Sequence, residues 1–211
     1  MSEASLRRDI VKWGRSLFER GLTAGSSGNI SVKLDDGFLV TPTNSCLGFL
    51  EPERLSKLDA AGSLISGDPP TKELPLHFAF YEVRPTAKAV VHLHSTHATA
   101  LSCLADVDQE DAIPPITPYV VMRVGKVPVV PYTRPGAPDV APLIRAKAGE
   151  HPAILLGNHG PVVAGISLDA AVFAMEELEE TARLVLLTRG MKVRLLSPEA
   201  IADLNATFRL K

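Results

Sequence analysis

An apolar run that ends in histidines constrains this chain more than any other stretch. The segment AVVHLHSTH, residues 89–97, starts as a β-branched run typical of a buried strand and contains three of the chain's six histidines. An imidazole buried without a partner costs about 1–3 kcal/mol. These rings must therefore face water or bind something, and the preceding AVV favours an internal strand.

Length and composition predict one soluble domain over residues 1–211. Hydrophobic residues make up 45% of the 211 positions, which is enough for a substantial core. The 22 basic and 24 acidic residues are spread along the chain and leave a formal net charge of −2. No basic block indicates a nucleic-acid partner.

The two cysteines and the N-terminus favour the cytoplasm. Cys46 and Cys103 lie far apart without C-x-x-C spacing, unlike a secreted disulfide framework. The charged, helix-patterned N-terminus lacks the apolar region of a signal peptide, and no apolar run is long enough to cross a membrane. We expect a cytoplasmic protein with no membrane partner.

Hydrophobic periodicity predicts an α/β domain with a mixed or antiparallel sheet. Helical and strand patterns mix along the chain without the regular alternation of a doubly wound fold. One predicted helix has Thr71 as its N-cap, which places Pro75 in the first turn, where proline is tolerated. A tight hairpin covers AILLGNHGPVVAG, and a long helix ends at Gly190.

Three histidines are candidate metal ligands. His92 and His94 are two residues apart, so both rings lie on one face of a strand and can converge on one point. His159 lies in the turn of the hairpin, where it is either an exposed tip or a third ligand. Three imidazoles leave one zinc coordination position open, which is typical of a catalytic site.

The remaining histidines are interpreted as structural. His77 falls on the helix after Thr71 and is expected to pack or cap. His97 follows His94 closely and could support the site from behind, and His151 is expected at the surface.

Glu73 and two polar loops have both structural and functional interpretations. Glu73 lies in the first turn of a predicted helix, where the macrodipole favours a carboxylate, but beside an open zinc site it could act as an acid or base. GSSGNIS and TPTNSC read as ordinary turns, although such loops can also point N–H groups at an anion. Neither loop fits a nucleotide-binding signature.

The order of these parts resembles the class II aldolase/adducin family. Between Gly25 and about Arg189 the chain contains, in this order, GNIS, TPT, a glutamate at a helix start, AVVHLH and NHGP. Within the family, the stretches PTKE, TALSCL, TPYVVMRVGKVPVVPYTRPG and MEELEETA are most similar to the branch of 3-oxo-tetronate 4-phosphate decarboxylases.

The resemblance implies a site, a cofactor and an assembly. It implies α/β/α layers around a mostly antiparallel sheet, and a homotetramer with active sites between subunits. It implies one divalent metal per subunit, with zinc expected, and a small phosphorylated sugar acid as substrate. The implied residues are the metal ligands His92, His94 and His159, the acid/base Glu73, the phosphate-binding Gly28, Asn29, Thr43 and Asn44, and, by a looser alignment, a catalytic Tyr119.

One departure from the aldolases of the family bears on the substrate. They tend to have two serines before the catalytic glutamate, where this chain has Thr71 and Lys72. Lys72 is either an exposed lysine or a cation that suits a substrate with an additional carboxylate.

The metal ligands alone leave the reaction open. Decarboxylation of a 3-oxo acid and aldol cleavage pass through the same enediolate, so a fuculose-phosphate-type aldolase or a ribulose-phosphate 4-epimerase remains an alternative. The adducin-like members use the fold as an interaction domain without a metal. The presence of all three histidines and Glu73 argues against that class.

Overall fold

The computed structural model describes residues 2–208, and its centre is a single sheet of eight strands in the order β4-β3-β2-β1-β5-β8-β7-β6. Neighbouring strands are antiparallel except for β6 and β7, which are parallel. The strands are β1 Asn29–Lys33, β2 Gly37–Val40, β3 Ser56–Asp59, β4 Leu64–Ser66, β5 Ala89–His92, β6 Val129–Val130, β7 Ala153–Leu156 and β8 Gly160–Gly165.

Helices cover both faces of this sheet. Seven α-helices lie within the described residues, together with two short 3-10 helices, Leu47–Phe49 and Pro52–Arg54. The α-helices are α1 Glu3–Glu19, α2 Leu74–Val83, α3 Thr96–Ser102, α4 Pro118–Arg123, α5 Val140–Ala148, α6 Leu168–Leu187 and α7 Pro198–Thr207. No helix among residues 2–208 combines the length and the apolar character of a membrane span.

Alternation along the strands divides the core in two. In β5, Val91 packs with residues of α1, α3 and α6, whereas Val90 packs on the opposite face with residues of α2 and α5. Successive side chains of a strand point to opposite faces, so a central strand buried on both sides reads as a continuous apolar run. The α/β class and the mostly antiparallel sheet predicted from the sequence are confirmed.

Two helix boundaries differ from the prediction. Helix α2 begins at Leu74 with Glu73 as its N-cap residue, because the Thr71 hydroxyl accepts a hydrogen bond of 3.2 Å from the Glu73 N–H and holds the chain in a turn. Helix α6 ends at Leu187, before the predicted Gly190, and the Thr188 hydroxyl donates to the Leu184 carbonyl at 2.8 Å.

Candidate metal centre

Two neighbouring strands bring the three candidate ligands together. His92 is the last residue of β5 and lies opposite Val162 of β8 in the sheet. His94 follows β5 directly, and His159 immediately precedes β8 in the turn from β7. That turn places Asn158 at a φ of 55°, which asparagine tolerates better than most residues.

The three imidazoles form a nearly equilateral triangle. The ring centroids of His92 and His94 are 5.0 Å apart, and each lies 4.8 Å from that of His159. The Nε2 atoms of His92 and His94 are 3.2 Å apart. The rings therefore point at a common centre.

Hydrogen bonding and burial prepare His92 to ligate a cation. Its Nδ1 donates to the Pro161 carbonyl at 2.9 Å, which leaves a lone pair on Nε2. Burial lowers the pKa of His92 well below its usual range, and the neighbouring His159 and His94 lower it further. Burial likewise lowers the pKa of His94 and of His159, which favours for all three rings the neutral form that binds metals.

Glu73 completes the cluster from the other side. Its Oε2 lies 3.4 Å from His92 Nε2, and its Oε1 lies 3.5 Å from His159 Nε2. One potential ligand atom from each of Glu73, His92, His94 and His159 falls within 4.8 Å of all the others.

The donor set fits a divalent cation. Two buried side-chain atoms, Glu73 Oε1 and His159 Nε2, have no hydrogen-bond partner among residues 2–208. An unpartnered buried polar atom is costly, and a cation at the centre of the cluster would satisfy both at once. Three imidazole nitrogens and one carboxylate are ligands that zinc and other first-row divalent metals accept.

The GSSGN loop brings Gly28 and Asn29 to this cluster. Asn29 begins β1 directly opposite His92, and its Nδ2 donates to Glu73 Oε2 at 2.8 Å. Gly28 has a φ of 80°, and a Cβ there would lie 3.0 Å from the His92 carbonyl oxygen. A side chain at position 28 would therefore be strained and crowded.

Thr43 and Asn44 follow β2 and lie near the segment that leads to Glu73. The Thr43 N–H donates to the Pro69 carbonyl at 2.9 Å, and Asn44 has a φ of 55°. Both residues line a cavity that also includes Arg54 and Asp68.

Thr71 and Lys72 immediately precede the carboxylate. Thr71 is buried, whereas Lys72 is exposed. The loop after β6 approaches Lys72 closely, because a Cβ at Gly136 would lie 3.1 Å from the Lys72 Cβ.

Tyr119 has no recorded contact with the cluster in the described part of the chain. Its side chain on α4 is 54% exposed, and the Arg123 guanidinium lies 6.0 Å from its ring centroid. Within residues 2–208, no hydrogen bond or ring contact joins Tyr119 to Glu73 or to the three histidines.

The other histidines have different surroundings. His77 is fully buried, and its Nε2 hydrogen-bonds to Asn29 Oδ1. His77 is therefore linked to the site through Asn29, a connection that the sequence did not predict. The signal was present in the sequence, because His77 is four residues after Glu73, on the same helical face. The backbone N–H of His97 donates to Glu179, and His151 is half-buried. Neither belongs to the cluster formed by Glu73 and the three candidate ligands.

Fold and site together define a class II aldolase-type protein, and comparison with known proteins agrees. The family model for the class II aldolase and adducin N-terminal domain matches residues 8–186, and the chain belongs to this family. It is 54% identical over 205 residues to the 3-oxo-tetronate 4-phosphate decarboxylase of Pectobacterium atrosepticum, covering 97% of this chain and 94% of that protein.

Two further comparisons show how the chain relates to the wider family. The crystal structure of YgbL from Klebsiella pneumoniae superposes with a TM-score of 0.94 at 50% identity, covering 97% of this chain and 99% of that one. The L-fuculose phosphate aldolase of Escherichia coli strain K12 is 32% identical over 213 residues, covering 99% of this chain and 96% of that protein.

Proposed function

We infer that the protein is a 3-oxo-tetronate 4-phosphate decarboxylase, which converts its substrate to dihydroxyacetone phosphate and CO2. Near-full-length similarity carries this conclusion. Five curated relatives with that name are 45–54% identical to the chain, whereas three curated L-fuculose phosphate aldolases are 32–35% identical.

The metal is the first element of the proposed site. We propose that His92, His94 and His159 hold one zinc ion per subunit through their Nε2 atoms, with Glu73 as a further ligand before substrate binds. The neutral state of the three rings and the unpartnered Glu73 Oε1 support this assignment. When bound, a divalent cation supplies Lewis acidity that stabilises negative charge developing on the substrate.

Glu73 is the proposed acid/base. When the C1–C2 bond breaks, CO2 departs and its electron pair remains on C2, conjugated with the C3 carbonyl. A proton must then reach C2 to give dihydroxyacetone phosphate. Glu73 is suited to hold that proton, because Asn29 orients its carboxylate from one side while Oε1 faces the cluster.

Binding of the two anionic ends is assigned to the surrounding loops. We propose that Gly28, Asn29, Thr43, Asn44 and Thr71 surround the phosphate ester. Lys72 is proposed to contact the carboxylate that leaves as CO2. Its exposed position one residue before Glu73 supports this role.

The assembly and the compartment complete the proposal. We propose a homotetramer with active sites between subunits, in which the exposed Tyr119 of one copy reaches the site of another and acts in proton transfer there. The exposure of Tyr119 supports this arrangement, because its side chain is free to meet a neighbouring copy. We further propose that the protein works in the cytoplasm, where its free cysteines Cys46 and Cys103 stay reduced.

A coupled assay tests the proposed reaction. The zinc-loaded protein is given 3-oxo-tetronate 4-phosphate generated in situ, and dihydroxyacetone phosphate is followed with a glycerol-phosphate dehydrogenase. We expect turnover by the wild type, and a much lower rate for Glu73→Gln. If metal-replete protein shows no turnover, the decarboxylase assignment is wrong, and aldol condensation of dihydroxyacetone phosphate with an aldehyde becomes the reaction to test.

A further inference from the structure

A row of buried polar side chains leads away from Glu73 into the protein. His77 and Tyr81 follow Glu73 at four-residue intervals and lie on one face of α2, whereas Asn29 and Ser31 are two residues apart on one face of β1. These two faces pack against each other on the α2 side of the sheet.

Four hydrogen bonds connect these side chains in sequence. Tyr81 Oη lies 2.8 Å from Ser31 Oγ, and Ser31 Oγ lies 2.8 Å from His77 Nδ1. His77 Nε2 bonds to Asn29 Oδ1, and Asn29 Nδ2 donates to Glu73 Oε2 at 2.8 Å. Ser31 and His77 are fully buried, and Asn29 and Tyr81 are nearly so.

The chemistry of the donors gives the chain a single direction. Asn29 donates from Nδ2 to Glu73 Oε2, so its acceptor Oδ1 faces His77 Nε2. His77 must then donate from Nε2, which leaves Nδ1 to accept the Ser31 hydroxyl proton. Ser31 Oγ in turn accepts from the Tyr81 hydroxyl. Every donor therefore points toward Glu73.

The charge state of His77 is compatible with this direction. Burial lowers the pKa of His77 to about 3, and the neighbouring His92 contributes to the lowering. A neutral ring carries one N–H, so it can donate to Asn29 only if it accepts from Ser31. Burial also raises the pKa of Tyr81, so its hydroxyl keeps the proton that starts the chain.

We propose that His77, Ser31 and Tyr81 are positioning residues that hold the Asn29 amide, and through it the Glu73 carboxylate, in the orientation the reaction needs. Turning the Asn29 amide over would bring Oδ1 against the carboxylate and NH2 against the His77 N–H, and both contacts are repulsive. With the His77 donor removed, the second of these penalties disappears and the amide is less firmly held. The expected effect on turnover rests on the proposed decarboxylase function. The direction of the hydrogen bonds does not depend on that function.

The first test is spectroscopic and needs no substrate. Long-range ¹H–¹⁵N spectra of histidine-labelled zinc-loaded protein report which ring nitrogen of each histidine carries the proton. We expect His77 to be neutral and protonated on Nε2 at pH 7, with its signal identified by its loss in His77→Gln. A His77 ring protonated on Nδ1, or on both nitrogens, would overturn the chain.

The second test separates positioning from stability. His77→Gln places an amide N–H near the position of Nε2, whereas His77→Met has a similar volume and no donor. We expect His77→Met to lower kcat about tenfold with its zinc content unchanged, as for other residues that orient a functional group, and His77→Gln to recover most of the loss. Equal kcat values per folded subunit for the wild type and both variants would refute the positioning role.

Two milder variants guard against misfolding. Tyr81→Phe keeps the ring and removes only the first hydroxyl of the chain, and we expect it to lower kcat by a smaller factor than His77→Met. Ser31→Ala removes the hydroxyl that links Tyr81 to His77. Its matched control is Ser56→Ala, because Ser56 is also a fully buried strand serine but donates to the Asp68 carbonyl, outside this chain of hydrogen bonds. Ser31→Ala should lower kcat while Ser56→Ala should not, and equal kcat values would contradict the proposal. Wild-type protein without decarboxylase activity would refute the proposed function and leave the spectroscopic result to stand alone.

Discussion

The Nε2 atoms of His92 and His94 lie 3.2 Å apart at the end of the central strand. His92 donates from Nδ1 to the Pro161 carbonyl, so the hydrogen bond between the two rings is donated by His94 Nε2. A divalent cation held by both Nε2 atoms would require His94 to carry its proton on Nδ1 instead. The pair is therefore ready to ligate a metal without any change in the charge of either ring.

Removing the third imidazole should empty the metal centre. We expect His159→Ala to lower zinc affinity by about 100-fold or more, because a zinc ligand contributes more than the outer residues whose loss typically costs 10–100-fold. Bound metal is measured by mass spectrometry after dialysis and by competition with a chromophoric chelator. His151→Ala is the matched control, since His151 lies outside the cluster. Undiminished zinc binding by His159→Ala would remove His159 from the ligand set.

Neutralising Glu73 should separate chemistry from metal binding. We expect Glu73→Gln to lower kcat by about 10²–10⁴-fold, the usual range for loss of an acid/base, while the three histidines keep the metal. The coupled assay and the zinc content are measured on the same sample, with the exposed Glu180→Gln as the control. A variant that retains wild-type kcat would assign proton transfer to another group.

The sequence predicted the fold class and the histidine cluster, but not how the cluster is brought together. Periodicity alone indicates that His92 and His94 share a face and that His159 lies in a turn. What places His159 beside them is the pairing of β5 with β8, which joins strands about seventy residues apart. Such pairing depends on the topology of the whole sheet, which no local pattern specifies.

The connection of His77 to the site was not predicted for a related reason. A single histidine on an apolar helix face has the same local pattern whether it only packs or contacts a functional group. Its partner Asn29 is 48 residues away on β1, and only the packing of α2 on the sheet brings them together.

The start of α2 was missed for a local reason, because the Thr71 hydroxyl holds a turn where the sequence suggested an N-cap.

Lys72 should affect substrate binding more than turnover. We expect Lys72→Ala to raise the KM for 3-oxo-tetronate 4-phosphate several-fold and to leave kcat within about twofold, because an exposed cation contributes modestly to binding an anion. Steady-state kinetics on the coupled assay measure both constants. The control is Lys192→Ala, an exposed lysine between α6 and α7. An unchanged KM would remove Lys72 from the substrate site.

The buried His77 should make the stability of the metal-free protein depend on pH in a defined direction. An unfolded histidine has a pKa of about 6.5, whereas burial lowers the pKa of His77 in the folded protein to about 3. Between these values the unfolded chain binds a proton that the folded chain does not, so the free energy of unfolding falls as the pH falls. From pH 7.5 to pH 5.5, this one group should remove about 1.4 kcal/mol. Urea unfolding of the zinc-free wild type and of His77→Gln at both pH values measures the difference, because the other histidines are common to both proteins. The wild type should lose more stability than the variant by about that amount, and equal losses would mean that His77 is protonated in the folded state or does not titrate on unfolding.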